Sequence, residues 1–273
     1  MTQGPTLPAP TWFVGCGNVG SAIIAGWRSA GIDLSGVVVI RPSGTPVEGV
    51  RTVRSLAEAG PPPKMVVLAF KPQKLDELTP QLKSWLTSKT ILVSILAGAQ
   101  AATLRERFPK AGPIVRAMLN LPVAIRRGVV ALFSTDVDSA QERQLGDLFV
   151  ALGYAMWMAD EAKFSAIGAV AGAGPAYVAR FIAALTKAGE ARGLSTEVAS
   201  TIALETVLGT AWMGASTGET MDDIARRVAS PNGTTEAGLA VLDKALDDLI
   251  EVTIDAAARR GAELAADARV QPS

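Results

Sequence analysis

A glycine-rich hexapeptide, Gly-Cys-Gly-Asn-Val-Gly at residues 15–20, restricts the fold of this chain more than any other feature. A short apolar run precedes it at residues 11–14, and an apolar helical pattern follows it over residues 22–27. A strand, a glycine turn and a helix in this order are typical of the first half of a dinucleotide-binding βαβ unit, in which the pyrophosphate lies at the helix N-terminus. The candidate cofactor-binding residues of this loop are Gly15, Gly17, Asn18, Val19 and Gly20.

Short β-branched runs continue through the first half of the chain and alternate with helical patterns. Continuous apolar runs of this kind suit strands that are covered on both faces of a sheet. The early spacing leaves room for crossover helices, so we predict an α/β fold: a Rossmann-type dinucleotide-binding domain with a mostly parallel sheet over residues 11–158. The predicted strands are residues 11–14, 37–40, 65–69, 91–94, 114–116, 129–133 and 154–158.

Residues 159–273 have a different composition. The β-branched runs stop and alanine, a strong helix former, becomes frequent, so we predict an all-helical second domain. Residues 1–10 are predicted to be a short disordered tail without a signal peptide. The predicted helices are 160–171, 175–192, 196–213, 220–228, 235–244 and 247–266, with Gly193 and Gly214 directly after two of them.

The composition excludes several classes of function. The chain has no histidine and a single cysteine, Cys16, so His-based triads, Cys–His dyads and zinc sites are excluded and no metal is expected. Equal numbers of basic and acidic residues, 26 of each, argue against a polybasic nucleic-acid binder. An uncharged stretch after residue 164 contains Gly172, Gly174 and Pro175, and we expect a buried helix there rather than a membrane span. We expect a cytoplasmic protein, because one cysteine permits no intrachain disulfide.

The residues after the second predicted strand bear on the choice of cofactor. A site that prefers NADH usually has Asp or Glu about 20 residues after the glycine loop, whereas this chain has Arg41, Pro42 and Ser43 there. Arg41 could pair with the 2′-phosphate of NADPH, and Ser43 could donate a hydrogen bond to it. We therefore predict NADPH, with NADH less favoured; a solvated loop arginine is the alternative interpretation.

Two segments of the helical half, residues 171–177 and 229–239, are predicted loops. The second places a serine, an asparagine, a glycine and two threonines at a helix start. Free backbone N–H groups, hydroxyls and the positive end of the helix dipole suit a carboxylate ligand at such a position. An ordinary helix cap is the alternative interpretation of the same residues.

Taken together, these motifs resemble those of the pyrroline-5-carboxylate reductases, the NAD(P)H enzymes of the last step of proline synthesis. The resemblance extends from residue 13 to about residue 264. The chain departs from the family at Leu121, Ala171 and Ala173, where the family usually carries hydroxyl groups. It also has Asn232 where the family usually has glycine. The matching segments are Phe-Val-Gly-Cys-Gly-Asn-Val-Gly (13–20), Leu-Ala-Phe-Lys-Pro-Gln (68–73), Ser-Ile-Leu-Ala-Gly (94–98), Arg-Ala-Met-Leu-Asn-Leu-Pro (116–122), Gly-Ala-Gly-Pro-Ala-Tyr (172–177) and Ser-Pro-Asn-Gly-Thr-Thr (230–235).

The resemblance implies hydride transfer from the nicotinamide to the carbon of a cyclic imine carboxylate. It implies that Thr235 is catalytic and directs its hydroxyl at the imine nitrogen. It also implies a homodimer with interlocked helical domains, which could assemble further. The carboxylate ligands it implies are Ser230 and the N–H groups of Asn232, Gly233 and Thr234, and Thr235 is a further substrate-binding residue. The further cofactor contacts it implies are Ala69, Lys71 and Pro72 at the ribose, Ala97 and Gly98 at the nicotinamide, and Asn120, which either bonds the cofactor or holds its loop.

Three other functions stay open at this point. A reductase of a six-membered cyclic imine acid would share all of these motifs. A 3-hydroxyacid dehydrogenase would need an asparagine four residues after its catalytic lysine, but Ile167 and Ala191 follow Lys163 and Lys187 at that spacing. A non-catalytic NADPH-binding regulator is the third alternative, since a fold does not guarantee chemistry.

Overall fold

The computed structural model describes residues 4–267, and these divide into two compact units. The first comprises the chain up to Ala173 and the residues from Ala257 onward, and the second is Gly174–Ala256. Strands occur up to Trp157, and every regular element from Glu161 onward is helical. The Rossmann-type α/β fold with a following all-helical region is therefore confirmed.

The first unit is built on an eight-stranded sheet in the order β3-β2-β1-β4-β5-β6-β7-β8. Neighbouring strands pair in parallel except for β6 with β7, which are antiparallel. The chain crosses from β3 to β4 on the other side of β1, which makes β1 the point where strand order reverses. The strands are β1 Thr11–Val14, β2 Val37–Ile40, β3 Arg51–Val53, β4 Met65–Leu68, β5 Ile91–Ser94, β6 Ile114–Leu119, β7 Gly128–Phe133 and β8 Gly153–Trp157.

Helices and apolar side chains cover both faces of this sheet. In β1, Phe13 points into one apolar cluster and its neighbours Trp12 and Val14 point into the other, as the alternation of a strand requires. All of these side chains are almost fully buried, which explains why the strands read as continuous apolar runs. The helices of this unit are α1 Asn18–Ser29, α2 Leu75–Leu82, α3 Ala101–Arg107, α4 Ser139–Val150 and α5 Phe164–Ile167.

The second unit consists of helices only. Its α7 runs through the predicted stop at Gly214 and ends before Gly218, so that prediction was wrong. Gly218 has a φ of +73°, which glycine adopts without strain, whereas Gly214 is buried inside the helix beside Met221. The helices are α6 Gly174–Glu190, α7 Thr196–Thr217, α8 Met221–Val228, α9 Thr234–Leu242 and α10 Leu246–Asp267, the last of which continues into the first unit.

The segment predicted as a loop at residues 171–177 is also helical. A π-helical turn, Gly168–Gly172, follows α5, and α6 begins at Gly174, with Pro175 in its first turn. Glu161–Glu190 has the length and apolar composition of a membrane span, but only 6% of its most apolar window is buried. The start of this stretch is buried, at Phe164 and Ala169, whereas α6 has no buried residue in the single chain.

The predicted N-terminal tail is only partly described. Residues 1–3 lie outside the described residues, and residues 4–10 form neither helix nor strand. Leu7 is partly buried against the apolar cluster of the first unit, and the Thr11 hydroxyl donates a hydrogen bond to the Pro8 carbonyl. Residues 7–10 thus pack on the domain, because an apolar side chain at position 7 reaches its core.

Candidate functional site

The glycine loop lies at the edge of the sheet where strand order reverses. It follows β1, and residues 69–72 follow the adjacent parallel strand β4. The Gly15 N–H donates to the Ile40 carbonyl at 2.8 Å, and the Ala69 N–H donates to the Val14 carbonyl at 2.9 Å. The crevice outside the carboxyl ends of β1, β2 and β4 is where open α/β sheets bind their ligands.

Two glycines of the loop are required by close backbone approach. Gly15 has a φ of +78°, and a β-carbon on it would stand 2.8 Å from the carbonyl oxygen of Ala69. A β-carbon on Gly20 would stand 3.3 Å from the Cys16 sulfur and 3.4 Å from the Ala69 β-carbon. These distances agree with the turn and packing roles that the motif predicts for its first and third glycines.

The second glycine faces open space. Gly17 is exposed, and no heavy atom lies within 4 Å of the position that its β-carbon would take. It is also the N-cap of α1 and provides no side-chain cap, so the first N–H groups of α1, beginning at Asn18, have no partner from the cap. An uncapped helix N-terminus with free space above it fits the pyrophosphate of a dinucleotide.

Cys16 lies within this loop without any sign of chemical activation. Burial raises the pKa of its thiol, outweighing the hydrogen bond to Ser21 and the positive charge of Arg41, which both lower it. The thiol is therefore protonated at neutral pH, and a protonated thiol is a poor nucleophile. Its sulfur lies 3.4 Å from the Ser21 hydroxyl, which places it in the packing between the loop and α1.

Arg41 and Ser43 form one compact turn after β2. The Gly44 N–H donates to the Arg41 carbonyl at 2.9 Å, which closes a four-residue turn with Pro42 at its second position. The Arg41 Nε donates to the Ser43 hydroxyl oxygen at 3.0 Å. The structure thus brings the two predicted 2′-phosphate ligands together.

A cavity of about 790 Å³ opens beyond β5 and β6 in the first unit. Val19 of the glycine loop and the predicted nicotinamide residues Ala97 and Gly98 all line it. Gly98 has a φ of +79°, so the backbone turns sharply at this edge. Lys71, in contrast, is exposed beside a 3₁₀ turn that begins at Pro72.

An ion pair that sequence reasoning missed lines the same cavity. The Arg116 guanidinium lies 2.8 Å from the Glu161 carboxylate and 4.7 Å from the ring centre of Phe164. The same Glu161 oxygen accepts a hydrogen bond from the Ala101 N–H at 2.7 Å, at the start of α3. The one signal in the sequence was the position of Arg116 inside the apolar strand β6, because a charged side chain there needs a partner of opposite charge.

Asn120 connects three segments around this cavity. Its side-chain Nδ2 donates to the Ala171 carbonyl at 2.9 Å, and its Oδ1 accepts from the Val129 N–H at 2.9 Å. Asn120 is buried, and these bonds hold the end of β6 against β7 and the π-helical turn. Of the two roles predicted for Asn120, this arrangement supports the structural one.

Residues 230–235 form a tight turn in the second unit and lead into α9. The Gly233 N–H donates to the Ser230 carbonyl at 2.9 Å, and Asn232 adopts a left-handed φ of +60°. The Asn232 N–H donates to the Glu236 carboxylate at 2.7 Å. Two of the three N–H groups predicted to bind a carboxylate therefore already have acceptors, because the turn and Glu236 use them.

The remaining groups at this helix start are available to a ligand. Gly233, the N-cap of α9, has no side chain to cap the first turn, so the N–H groups of Thr234 and Thr235 have no intrahelical acceptor. Ser230 and Thr234 are exposed, and Thr235 is half-buried. Hydroxyls and free N–H groups at a positive helix end suit a small anion.

The fold and the glycine loop define a dinucleotide-binding protein with a Rossmann-type domain. No cluster of three potential metal ligands occurs among residues 4–267. The profile of the family "Pyrroline-5-carboxylate reductase dimerisation" matches residues 161–264. That of "NADP oxidoreductase coenzyme F420-dependent" matches residues 12–98.

Comparison with individual proteins identifies the family. A pyrroline-5-carboxylate reductase of Pseudomonas aeruginosa is 38% identical over 93% of this chain and 96% of its own length. The structure of a pyrroline-5-carboxylate reductase from Coxiella burnetii has a TM-score of 0.85, with 31% identity over 94% of this chain and 99% of that one. The structure of the Plasmodium falciparum pyrroline carboxylate reductase with NADP bound has a TM-score of 0.86, with 26% identity over 94% of this chain and 98% of that one. This chain belongs to the pyrroline-5-carboxylate reductase family, which confirms the resemblance seen in the sequence.

Proposed function

We propose that this chain reduces 1-pyrroline-5-carboxylate to proline with NADPH as the reductant. The observation that carries the proposal is the 38% identity with the Pseudomonas aeruginosa reductase over nearly the whole length of both chains. The similarity to a structure with NADP bound supports the cofactor. The glycine loop, Arg41 and Ser43 are the features of this chain that fit NADPH.

The cofactor is held by residues of the first unit. Gly17 and the N-terminus of α1 accommodate the pyrophosphate, and Arg41 with Ser43 binds the 2′-phosphate. The backbone of residues 69–72 lines the ribose, and Ala97 and Gly98 line the nicotinamide at the edge of the cavity. When bound, NADPH supplies the hydride that adds to the carbon of the C=N bond.

The substrate carboxylate is held at the start of α9. Ser230 offers its hydroxyl, and Thr234 and Thr235 offer N–H groups that the helix leaves free. Asn232 and Gly233 contribute the shape of the turn rather than donors, since their N–H groups bond to Glu236 and Ser230. The positive end of the α9 dipole adds to the attraction for a carboxylate.

Thr235 acts on the imine nitrogen. Its hydroxyl forms a hydrogen bond with this nitrogen and orients the ring, and hydride addition to the carbon of the protonated imine then gives the neutral amine of proline. The chain has no histidine to act as a general acid. Solution supplies the proton to the imine before hydride addition, and positioning of the two reactants accounts for most of the catalysis.

The active unit is a homodimer that forms through the helical region. The dimerisation-family match over residues 161–264 and the exposed apolar side chains of α6 and α7 support this. The same pairing would cover the apolar segment Glu161–Glu190 without a membrane. We propose a cytoplasmic location and a small-molecule substrate, with no nucleic-acid partner.

Parallel assays with two substrates test the proposed function. NADPH oxidation is followed at equal concentrations of the five-membered imine, 1-pyrroline-5-carboxylate, and of its six-membered analogue. We expect the kcat/KM for the five-membered ring to be the higher by at least about tenfold, the discrimination that one methylene in a fitted pocket gives. A preference for the larger ring would indicate that Leu121, Ala171 and Ala173 have changed the substrate. NADPH binding without turnover of either would indicate a regulator.

A further inference from the structure

A second arginine lies beside the turn that holds Arg41 and Ser43. Arg41 follows β2 and Arg54 follows β3, and the residues before them, Ile40 and Val53, are paired in parallel register. The Arg41 N–H donates to the Val53 carbonyl at 2.9 Å. The two arginines therefore leave the same edge of the sheet side by side.

Gly44 allows the Arg54 side chain to lie over this turn. Its φ is +65°, and a β-carbon on it would stand 2.7 Å from Nε and 3.1 Å from Cζ of Arg54. Any larger residue at position 44 would displace the guanidinium. The Arg54 guanidinium thus packs against the turn that presents Ser43.

The hydroxyl of Ser43 is surrounded by donors. Its oxygen accepts hydrogen bonds from the Arg41 Nε at 3.0 Å, from the Thr45 N–H at 3.3 Å and from the Thr45 hydroxyl at 3.0 Å. Ser43 donates its own proton to none of these partners, so this proton is available to a further acceptor. Two guanidinium groups and this hydroxyl form a cluster of donors that suits a phosphate.

Within the part of the chain that the structure describes, neither of these arginines lies within ion-pair distance of a carboxylate. Glu58 receives hydrogen bonds from the Ser55 hydroxyl at 2.7 Å and from the Arg54 N–H at 3.4 Å, and these bonds, with smaller contributions from the charges of Arg54 and Arg51, lower the pKa of its carboxyl. Among residues 4–267, no carboxylate forms an ion pair with either Arg41 or Arg54. By contrast, Arg28, Arg105, Arg107 and Arg116 of the same unit are paired with Glu48, Asp136, Asp76 and Glu161.

We propose that Arg54 is a second determinant of cofactor specificity, which holds the 2′-phosphate on the adenosine ribose between its guanidinium and that of Arg41. The inference deepens the proposed function and rests on it for the identity of the cofactor. Arginines that follow two neighbouring strands, β2 and β3, then bind the same phosphate, and Gly44 leaves the space that the second arginine needs. Loss of Arg54 should weaken ligands that carry this phosphate and leave others unaffected.

Calorimetric titration with nucleotide fragments tests this role without the reaction. Adenosine 2′,5′-bisphosphate and adenosine 5′-monophosphate differ only in the 2′-phosphate. For Arg54→Ala and Arg54→Gln we expect the Kd of the bisphosphate to rise about tenfold, the loss typical of one charge-assisted hydrogen bond. The Kd of the monophosphate should change less than about twofold, since its phosphate lies elsewhere. Arg143→Ala, which removes an exposed arginine from α4, is the matched control and should change neither Kd.

The outcomes separate this inference from the proposed function. Equal bisphosphate affinity in the wild type and in folded Arg54→Gln protein would overturn the role of Arg54, and turnover of the cyclic imine would be unaffected by that result. A wild-type protein that does not prefer the bisphosphate would overturn it as well. Normal bisphosphate binding without turnover of any cyclic imine would instead overturn the proposed function and leave the assignment of Arg54 standing.

Discussion

Single residues decide which groups of the site are free for a ligand. Glu236 was not among the predicted site residues, yet its carboxylate binds the Asn232 N–H and so removes one predicted donor. Gly233 removes another through its bond to Ser230, and its missing side chain leaves the first turn of α9 uncapped. The groups of this turn that remain available to a ligand are therefore the N–H groups of Thr234 and Thr235 and the Ser230 hydroxyl.

Substitution of Thr235 by valine tests the proposed catalytic hydroxyl. Valine keeps the shape of threonine but has no hydroxyl, so the bond to the imine nitrogen is lost. We expect kcat to fall by about 10²–10³-fold, the range for one positioned donor. Steady-state kinetics with 1-pyrroline-5-carboxylate measure this change. Thr235→Ser restores the hydroxyl and should recover most of the rate; an unchanged kcat/KM in Thr235→Val would exclude the role.

Substitution of Arg41 by alanine tests the choice of cofactor. The 2′-phosphate distinguishes NADPH from NADH, so only the former loses a charge-assisted contact. We expect the KM for NADPH to rise by about tenfold or more while that for NADH changes less than about twofold. Kinetics with each cofactor at saturating imine measure both values. Equal losses for the two cofactors would show that Arg41 only supports the loop.

Contacts between elements determine how firmly the cofactor domain is held together. Helix α1 approaches the 3₁₀ turn Leu121–Ile125 so closely that a β-carbon on Gly26 would stand 2.2 Å from the Val123 carbonyl oxygen. It would also lie 2.6 Å from a methyl group of Leu152. A glycine inside a helix is usually a cost, but here it permits the packing of α1 against the loop that carries Asn120.

Substitution of Gly26 by alanine should therefore destabilise the protein. The backbone of Val123 cannot yield as a flexible side chain would, so α1 has to shift. We expect the free energy of unfolding to fall by about 1–3 kcal/mol, as in other overpacked cores. Urea denaturation measures this value. Ser29→Ala on the exposed part of the same helix is the control and should stay within about 0.5 kcal/mol of wild type.

Asp136 connects the segment after β7 to two other elements. Its carboxylate lies 2.6 Å from the Arg105 guanidinium of α3 and accepts from the Ile114 N–H at the start of β6. Partial burial raises the pKa of Asp136, but hydrogen bonds from Arg105, Thr135 and Ile114 outweigh it and lower the pKa below the ordinary value of 3.8. The charged carboxylate thus stabilises the fold above pH 3.8 and loses this effect as the pH falls through its lowered pKa.

Asp136→Asn should weaken these connections in a pH-dependent way. We expect a loss of about 1 kcal/mol at pH 7, since the pair is partly exposed to solvent. The difference from wild type should shrink as both proteins are taken below pH 3.8, where the wild-type carboxylate becomes protonated. Thermal unfolding across this pH range measures it, with the exposed Asp147→Asn as control. A difference that is constant with pH would contradict the electrostatic explanation.

At the scale of the whole molecule, the helical unit exposes the apolar surface of an interface. Leu204, Leu208 and Trp212 of α7 are each more than half exposed in the single chain. Side chains of this size line up along one helix and continue on α6 with Val178 and Phe181. Exposed apolar surface of this extent marks a site of interaction with another protein or a membrane.

The predicted partner is a second copy of the chain. Light scattering coupled to size exclusion should give a mass of at least twice the 28.3 kDa of one chain at micromolar concentration. Leu208→Glu places a charge in the apolar surface and should shift the protein toward the monomer. Arg143→Glu on α4 is the control and should keep the wild-type mass. A monomeric wild type would contradict the dimer.

Strands, most helices and the glycine loop could be predicted because local pattern determines them. The seven predicted strands are all present, since buried parallel strands require continuous apolar runs. β3, Arg51–Val53, was missed because three residues with an exposed arginine at one end show no such run. The helix stop at Gly214 was misplaced because a glycine can end a helix or admit a neighbour, and only packing distinguishes the two.

The sequence by itself therefore determined the fold class, the dinucleotide loop and the family, because each depends on the order of residues along the chain. Tertiary structure decided which of the predicted donors remain free. Glu236 takes the Asn232 N–H, and the amide of Asn120 is used within the fold. The tertiary structure also places the Arg54 side chain over Gly44, ten residues away in the sequence, because β2 and β3 pair in parallel and end side by side. Hydrogen-bond partners and charge neighbours depend on distances in space, which no local pattern contains.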